Sequence, residues 1–179
     1  PVSLLLTNPL MLVVNSSLPI TSVKELIAYA KANPGKLNYA SVGNGSPNHV
    51  TTEMLKWLTG IDMVHVPYKG VSPSITDMLG GQIQLMFSPM PALMPHIQSG
   101  KFRPLGVSSS KRSSAAPDQP TIAEAGVPGF SAEFWYAIFA PSRTPAPIIA
   151  KLNAALVKVL SVPELVKSLA DQGTEPRSS

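Results

Sequence analysis

Three Ser-Pro pairs, Ser46-Pro47, Ser72-Pro73 and Ser88-Pro89, each follow a short apolar run in the first half of the chain. Serine is a favoured N-cap and proline a favoured first helical residue, so each pair predicts a helix start. A helix start presents unpaired backbone N–H groups and the positive end of the helix dipole, which suits a carboxylate or another small anion. Two of the turns also carry glycine: Gly43-Asn44-Gly45 before the first pair and Gly70 before the second. Glycine bends the chain tightly and lets a ligand approach the backbone. Capping alone explains any single pair. Three starts at one sheet edge would make an uncharged rim of anion donors.

Catalytic groupings are hard to assemble from the same chain. The histidines are His49, His65 and His96, and no two have the His-x-x-x-His spacing of a helical zinc site. His49 falls in the first turn of its predicted helix, where it either donates to a ligand or caps locally. His65 reads as a half-buried strand residue with a partner, and His96 as a complement to a helix C-terminus. The absence of cysteine excludes disulfides, thiolate metal sites and a cysteine nucleophile. The loop around Gly43 lacks the lysine of a phosphate-binding loop, and Asn48 stands where a dinucleotide fingerprint needs glycine. No Gly-x-Ser-x-Gly elbow is present, and no acids pair obviously for proton transfer. These absences favour binding over catalysis, with no cofactor and no metal. The net charge of +4 is scattered, without the basic stripe that nucleic acid requires. Trp57, Trp135 and the methionines read as core packing.

The elements that would hold the rim alternate. Leu10 to Asn15 is a nearly continuous apolar run that suits a buried strand. Ser22-Val23-Lys24-Glu25 is a capping box for a helix to about Ala32. A strand at Leu37 to Ser41 precedes the first Ser-Pro helix, which has Val50, Met54, Leu55 and Leu58 at helical spacing. Strands at Met63 to Pro67 and Gln82 to Phe87 precede the second and third. A fifth strand spans Leu105 to Ser108, and Thr121-Ile122-Ala123-Glu124 is a second capping box. Repeated strand–helix units imply an α/β fold with a mostly parallel sheet, whose ligands bind beyond the carboxyl ends of the strands. The last third differs. It has an aromatic strand within Ala132 to Ala140, then a helix from Thr144-Pro145 with Ile148, Ile149, Leu152, Leu156 and Val159 on one face, then a helix from Pro163.

Several stretches together resemble the Bug, or tripartite tricarboxylate transporter receptor, family of periplasmic solute-binding proteins. They are Pro34 to Ser46, Val64 to Gly70, Asp77 to Ile83, Leu85 to Phe87, Gly100 to Ser108, Pro120 to Phe130 and Pro147 to Asn153. The resemblance implies a periplasmic-binding-protein-like (type II) architecture with a carboxylated ligand held between two lobes. It implies a complete lobe over residues 9–133, with residues 1–8 and 134–179 forming hinge strands and part of a second lobe. It also implies an extracytoplasmic carrier for a small carboxylate (a di- or tricarboxylate, aromatic acid or amino acid) with membrane transporter subunits as partners. Carried over, the pocket rim is Ser41, Gly43, Asn44, Gly45, Ser46 and His49, with Tyr68, Gly70 and Ser72 opposite. Ser88 stands where the family commonly has an acid, which favours a purely acidic ligand.

The family's chains are longer, so helix 145–160 is expected to lack part of its covering sheet and to offer an apolar face for dimerisation or partner exchange. An alternative is the effector-binding domain of a transcriptional regulator, which shares this lobe type.

Overall fold

A computed structural model describes residues 1–171 and 173–177; residues 172, 178 and 179, within the expected second-lobe segment, lie outside it. Seven strands and six helices follow in the order β1 (Ser3–Asn15), α1 (Val23–Ala32), β2 (Asn38–Ser41), α2 (Pro47–Thr59), β3 (Val64–Pro67), α3 (Val71–Leu79), β4 (Leu85–Pro89), α4 (Met90–Gln98), β5 (Phe102–Val107), β6 (Glu133–Ile138), α5 (Ala146–Leu160), α6 (Pro163–Asp171) and β7 (Glu175–Pro176).

The main sheet has the order β3-β2-β4-β1-β5. β2 lies parallel to β3 and β4, whereas β1 is antiparallel to β4 and to β5. Four of the five directions therefore agree, and the sheet is mixed through β1 alone. β1 is also longer than the expected run. Leu10 to Asn15 pair with β4 and β5, while Ser3 to Pro9 pair with β6, and Leu6 and Thr7 with β7. The strand itself continues through Thr7-Asn8-Pro9 because each half is held by a different set of partners.

Two apolar layers sandwich the main sheet, as alternating strand side chains require. Leu10, Leu12, Val14, Tyr39, Leu85 and Phe87 pack against α1 and α2, with Leu26 and Leu55 among the buried helical residues. Met11, Val13, Ala40 and Met86 pack on the other side with Met78, Met90 and Leu93 of α3 and α4. In α1, Ser22 Oγ accepts from Glu25 N–H, while Glu25 reaches back to Thr21 N–H at 2.6 Å. The second capping box makes both its reciprocal bonds, Thr121 N–H to Glu124 and Glu124 N–H to Thr121 Oγ1, yet closes only a turn.

Two expectations of packing are corrected. The buried residues of α2 are Asn48, Thr51, Thr52 and Leu55; of the expected Val50, Met54, Leu55 and Leu58 stripe, Leu55 is buried, Met54 and Leu58 pack partly buried against the core, and Val50 is 55% exposed. Trp57 is 80% exposed and Trp135 59% exposed, so neither is core. α5, by contrast, offers the exposed apolar face expected of it: it has no buried residue, Ile148, Leu152 and Val159 are exposed, and Asn153 ties the helix to the residue before β1 by donating to Val2 O at 2.8 Å.

Candidate functional site

The carboxyl ends of β2, β3 and β4 lie at one edge of the sheet because these strands are parallel. β1 runs the other way, so its crossing from one sheet to the other, at Pro9 and Leu10, lies at the same edge. A groove of about 210 Å³ opens there, lined by Asn8, Leu10, Val42, Pro47, Asn48, Val71, Pro89, Phe134 and Tyr136. Pro47, Val71 and Pro89 are the beginnings of α2 and α3 and the residue capping α4. Three helix starts thus meet one cavity whose walls carry no carboxylate, ammonium, guanidinium or imidazole group. Leu10, Val42, Val71 and Phe134 give it an apolar body.

Only one of the three Ser-Pro pairs caps as expected. Ser46 is the N-cap of α2, with Pro47 at the first helical position and Ser46 Oγ accepting from His49 N–H at 3.4 Å. In α3 the cap passes to Gly70 and the helix begins at Val71, so Ser72 lies inside the first turn and is exposed. Ser88 remains in β4, paired in register with Met11, and Pro89 takes the cap of α4. The ladder with β1 extends the strand past the serine. Ser88 Oγ is fully buried and has no partner.

The turn from Ser41 to Ser46 is held from within. Gly43 and Gly45 take φ of +123° and +73°, conformations that a Cβ disfavours. Ser41 Oγ accepts from Gly43 N–H at 3.0 Å and lies 2.6 Å from His65 Nε2. Gly45 N–H donates to His49 Nδ1 at 3.1 Å, so His49 caps locally in this arrangement. Among the described residues no hydrogen bond is found for the N–H groups of Asn44 and Asn48, two backbone donors beside the groove. The Tyr68 hydroxyl is taken by Asp77 at 2.7 Å; burial and that carboxylate push its pKa up to about 12.

None of the ten expected residues lines the groove itself. Ser41, Gly43, Asn44, Gly45, Ser46 and His49 form the turn and helix start directly behind Val42, Pro47 and Asn48, while Gly70 and Ser72 flank Val71. Two of the lining residues, Asn48 and Asn8, bring side-chain amides that were not expected at the site. Asn48 is 4% exposed and donates Nδ2 to Phe87 O at 2.6 Å, fixing the start of α2 to the end of β4. Its signal was the spacing Asn48–Thr51–Thr52–Leu55, a helical stripe that polar residues disguised. Asn8 has a buried Oδ1 with no partner at the groove wall. The amide interrupting Leu4-Leu5-Leu6-Thr7-Asn8-Pro9 was the available clue. A buried polar atom without a partner calls for an occupant or a water.

Comparison with known proteins gives the chain's family. The family model described as tripartite tricarboxylate transporter family receptor matches residues 1–179. The chain belongs to that receptor family. It is 40% identical to Protein BugT of Bordetella pertussis over 176 residues, covering 98% of this chain and 54% of that relative. Among solved structures it is similar to R. palustris Rpa4515 with adipate, at TM-score 0.88 and 39% identity over 98% of this chain and 59% of the other. It is also similar to MatC (Rpa3494) from Rhodopseudomonas palustris with bound malate, at TM-score 0.83 and 33% identity over 98% of this chain and 60% of the other. The chain spans about half the length of the curated relatives it matches. Its fold is therefore that of these receptors over the shared part.

Proposed function

We propose that the chain is the ligand-binding lobe of an extracytoplasmic receptor. It captures a small carboxylate for a tripartite tricarboxylate-type transporter and performs no chemistry on it. The observation that carries this reading is the meeting of three helix starts at one uncharged groove. Dipolar N–H donors hold an anion without the desolvation cost of burying a cation beside it. The apolar walls favour an acid with an aliphatic or aromatic body, and the absence of a carboxylate in the groove disfavours a ligand amine. The adipate and malate carried by the two R. palustris proteins are acids of this type.

Residues 9–133 form the complete lobe, and residues 1–8 and 134–179 the hinge strands and part of a second lobe; the switch of β1 partners at Pro9 and Leu10 supports this division. The rim comprises Ser41, Gly43, Asn44, Gly45, Ser46, His49, Gly70 and Ser72, with Tyr68 and Ser88 supporting it and Asn8 and Asn48 lining the groove. The receptor relatives support a periplasmic location, and among the described residues no helix is long and apolar enough to cross a membrane. The exposed faces of α5 and β6 support association through the helix at 145–160. No observation favours the regulator reading.

A thermal-shift screen of mono-, di- and tricarboxylates against matched amines and amides tests the reading. Acids should raise the melting temperature with concentration and the neutral analogues should not. An equal response to both classes would remove the basis for an anion site.

A further inference from the structure

Behind the groove three rings form a continuous stack. The Tyr39 and His65 rings lie 5.0 Å apart at 20°, and the His65 and His49 rings 4.2 Å apart at 23°. Each histidine is also bonded to the anion-binding turn. His65 Nε2 lies 2.6 Å from Ser41 Oγ, which itself accepts from Gly43 N–H. His49 Nδ1 accepts from Gly45 N–H at 3.1 Å. Gly43 and Gly45, the two left-handed residues of the turn, are thus tied to neighbouring imidazoles on different elements, β3 and α2.

We propose that His49 and His65 are positioning residues for the turn Ser41–Ser46, and that protonation of His49 releases the turn and weakens ligand binding in acid. This rests on the carboxylate-binding reading of the same turn.

The two bonds differ in how they tolerate a proton. The serine hydroxyl both donates and accepts, so it can face His65 Nε2 in either protonation state, with Gly43 O at 3.1 Å as an alternative acceptor. His49 Nδ1 has no such freedom. It accepts from a backbone N–H, so the neutral ring must carry its proton on Nε2, and an added proton turns the acceptor into a donor facing a donor. The stack sharpens the effect, because two imidazolium rings at 4.2 Å repel.

The charged and titratable groups around the pair are Tyr39 from β2 and Glu53 and Lys56 from α2 itself. Tyr39 donates to Glu53 at 2.6 Å, and Lys56 bonds Glu53 at 2.8 Å while its ammonium sits 5.6 Å from the Tyr39 ring centre. Glu53 is therefore already engaged by two partners, and His49 contributes least among the neighbours that hold its carboxyl below the ordinary range. Burial, with His49 and Lys56 nearby, holds His65 below the ordinary histidine range, against a smaller opposing pull from Glu53. Neither ring lines the groove, so loosening of the turn, not contact with the acid, is the route by which His49 weakens binding, and it acts against the attraction of the new charge for the anion.

The test is an isotope-labelled chain followed by NMR from about pH 8 to pH 5, with His49→Asn and His49→Ala for comparison. An asparagine oxygen stands close to where Nδ1 stood and accepts the same bond without titrating. The expected result is that the Gly45 amide resonance moves, and loses exchange protection roughly tenfold, with the midpoint of the His49 ring; one net hydrogen bond corresponds to that factor. His49→Asn should hold the amide steady throughout, and His49→Ala should leave it unprotected at every pH.

Calorimetry with malate, adipate and citrate should show affinity falling roughly tenfold in acid for the wild type beyond the change in His49→Asn, which carries the ligand's own protonation. The proposal is overturned if the Gly45 amide ignores the His49 titration, if His49→Asn titrates like the wild type, or if acid strengthens wild-type binding relative to that variant. Absence of binding by all three acids at every pH would overturn the coupling to ligand and the carboxylate reading together. An intact Gly45 response would then leave the histidine pair as a structural device only.

Discussion

Replacing Asn48 by alanine removes a side-chain bond that joins the start of α2 to the end of β4. Asn48 is 4% exposed and Phe87 fully buried, so water does not replace the lost donor at the Phe87 carbonyl. A buried acceptor left without its partner costs about 1–3 kcal/mol. For a chain of this size each kcal/mol lowers the melting temperature by roughly 2–4 °C. Asn48→Ala should therefore melt about 3–10 °C lower, read by circular dichroism and checked by a lower urea midpoint at unchanged slope. Asn48→Asp should be worse than alanine, because it sets a second oxygen against the Phe87 carbonyl. Melting of the alanine variant within about 1 °C of wild type would refute the role given to this bond.

Gly45→Val should weaken binding of a carboxylate more than Ser46→Ala in calorimetry. No atom lies within 4 Å of the added Cβ, so the valine acts through its left-handed backbone at φ +73°, about 1–2 kcal/mol of strain, whereas the serine loses a cap bond already long at 3.4 Å. Unchanged affinity in both would remove the turn from the site. The raised pKa of Tyr68 means that the folded chain keeps a proton the unfolded chain loses near pH 10. Its contribution to stability is complete below that value and disappears as pH rises towards about 12, so Tyr68→Phe should flatten the alkaline decline in urea unfolding while Tyr39 retains its share. The outward Ile148, Leu152 and Val159 of α5 should drive association as concentration rises in sedimentation, and Leu152→Glu should abolish it; a strict monomer at every concentration would contradict the exposed face.

Local signals were legible in the sequence where local chemistry decides. Ser46-Pro47 caps α2 because nothing nearby competes for that serine. The same dipeptide at 72–73 and 88–89 behaves differently, since Gly70 starts α3 two residues early and the β1 ladder draws Ser88 into the sheet. The edge shared by the three helices followed from the strand–helix alternation, and their meeting at one groove bears out that placement. Burial was less legible. Asn48, Thr51 and Thr52 form the inner face of α2 although Val50 and Trp57 are more apolar, because which side meets the sheet is a tertiary choice. The double role of β1 was hidden too. Asn8-Pro9 reads as an interruption, yet the proline sits where one set of partners hands over to another.

Chemical-shift mapping of the labelled chain with malate, adipate and citrate, at concentrations high enough for weak binding, tests the anion site most directly. The amides of Asn44 and Asn48, which point no bond elsewhere, should shift first and furthest, together with the Asn8 side-chain amide beside them. Shifts gathered instead around Asn15, Gly81 and Lys101, at the cavity on the opposite edge of the sheet, would show that the acid does not use these helix starts.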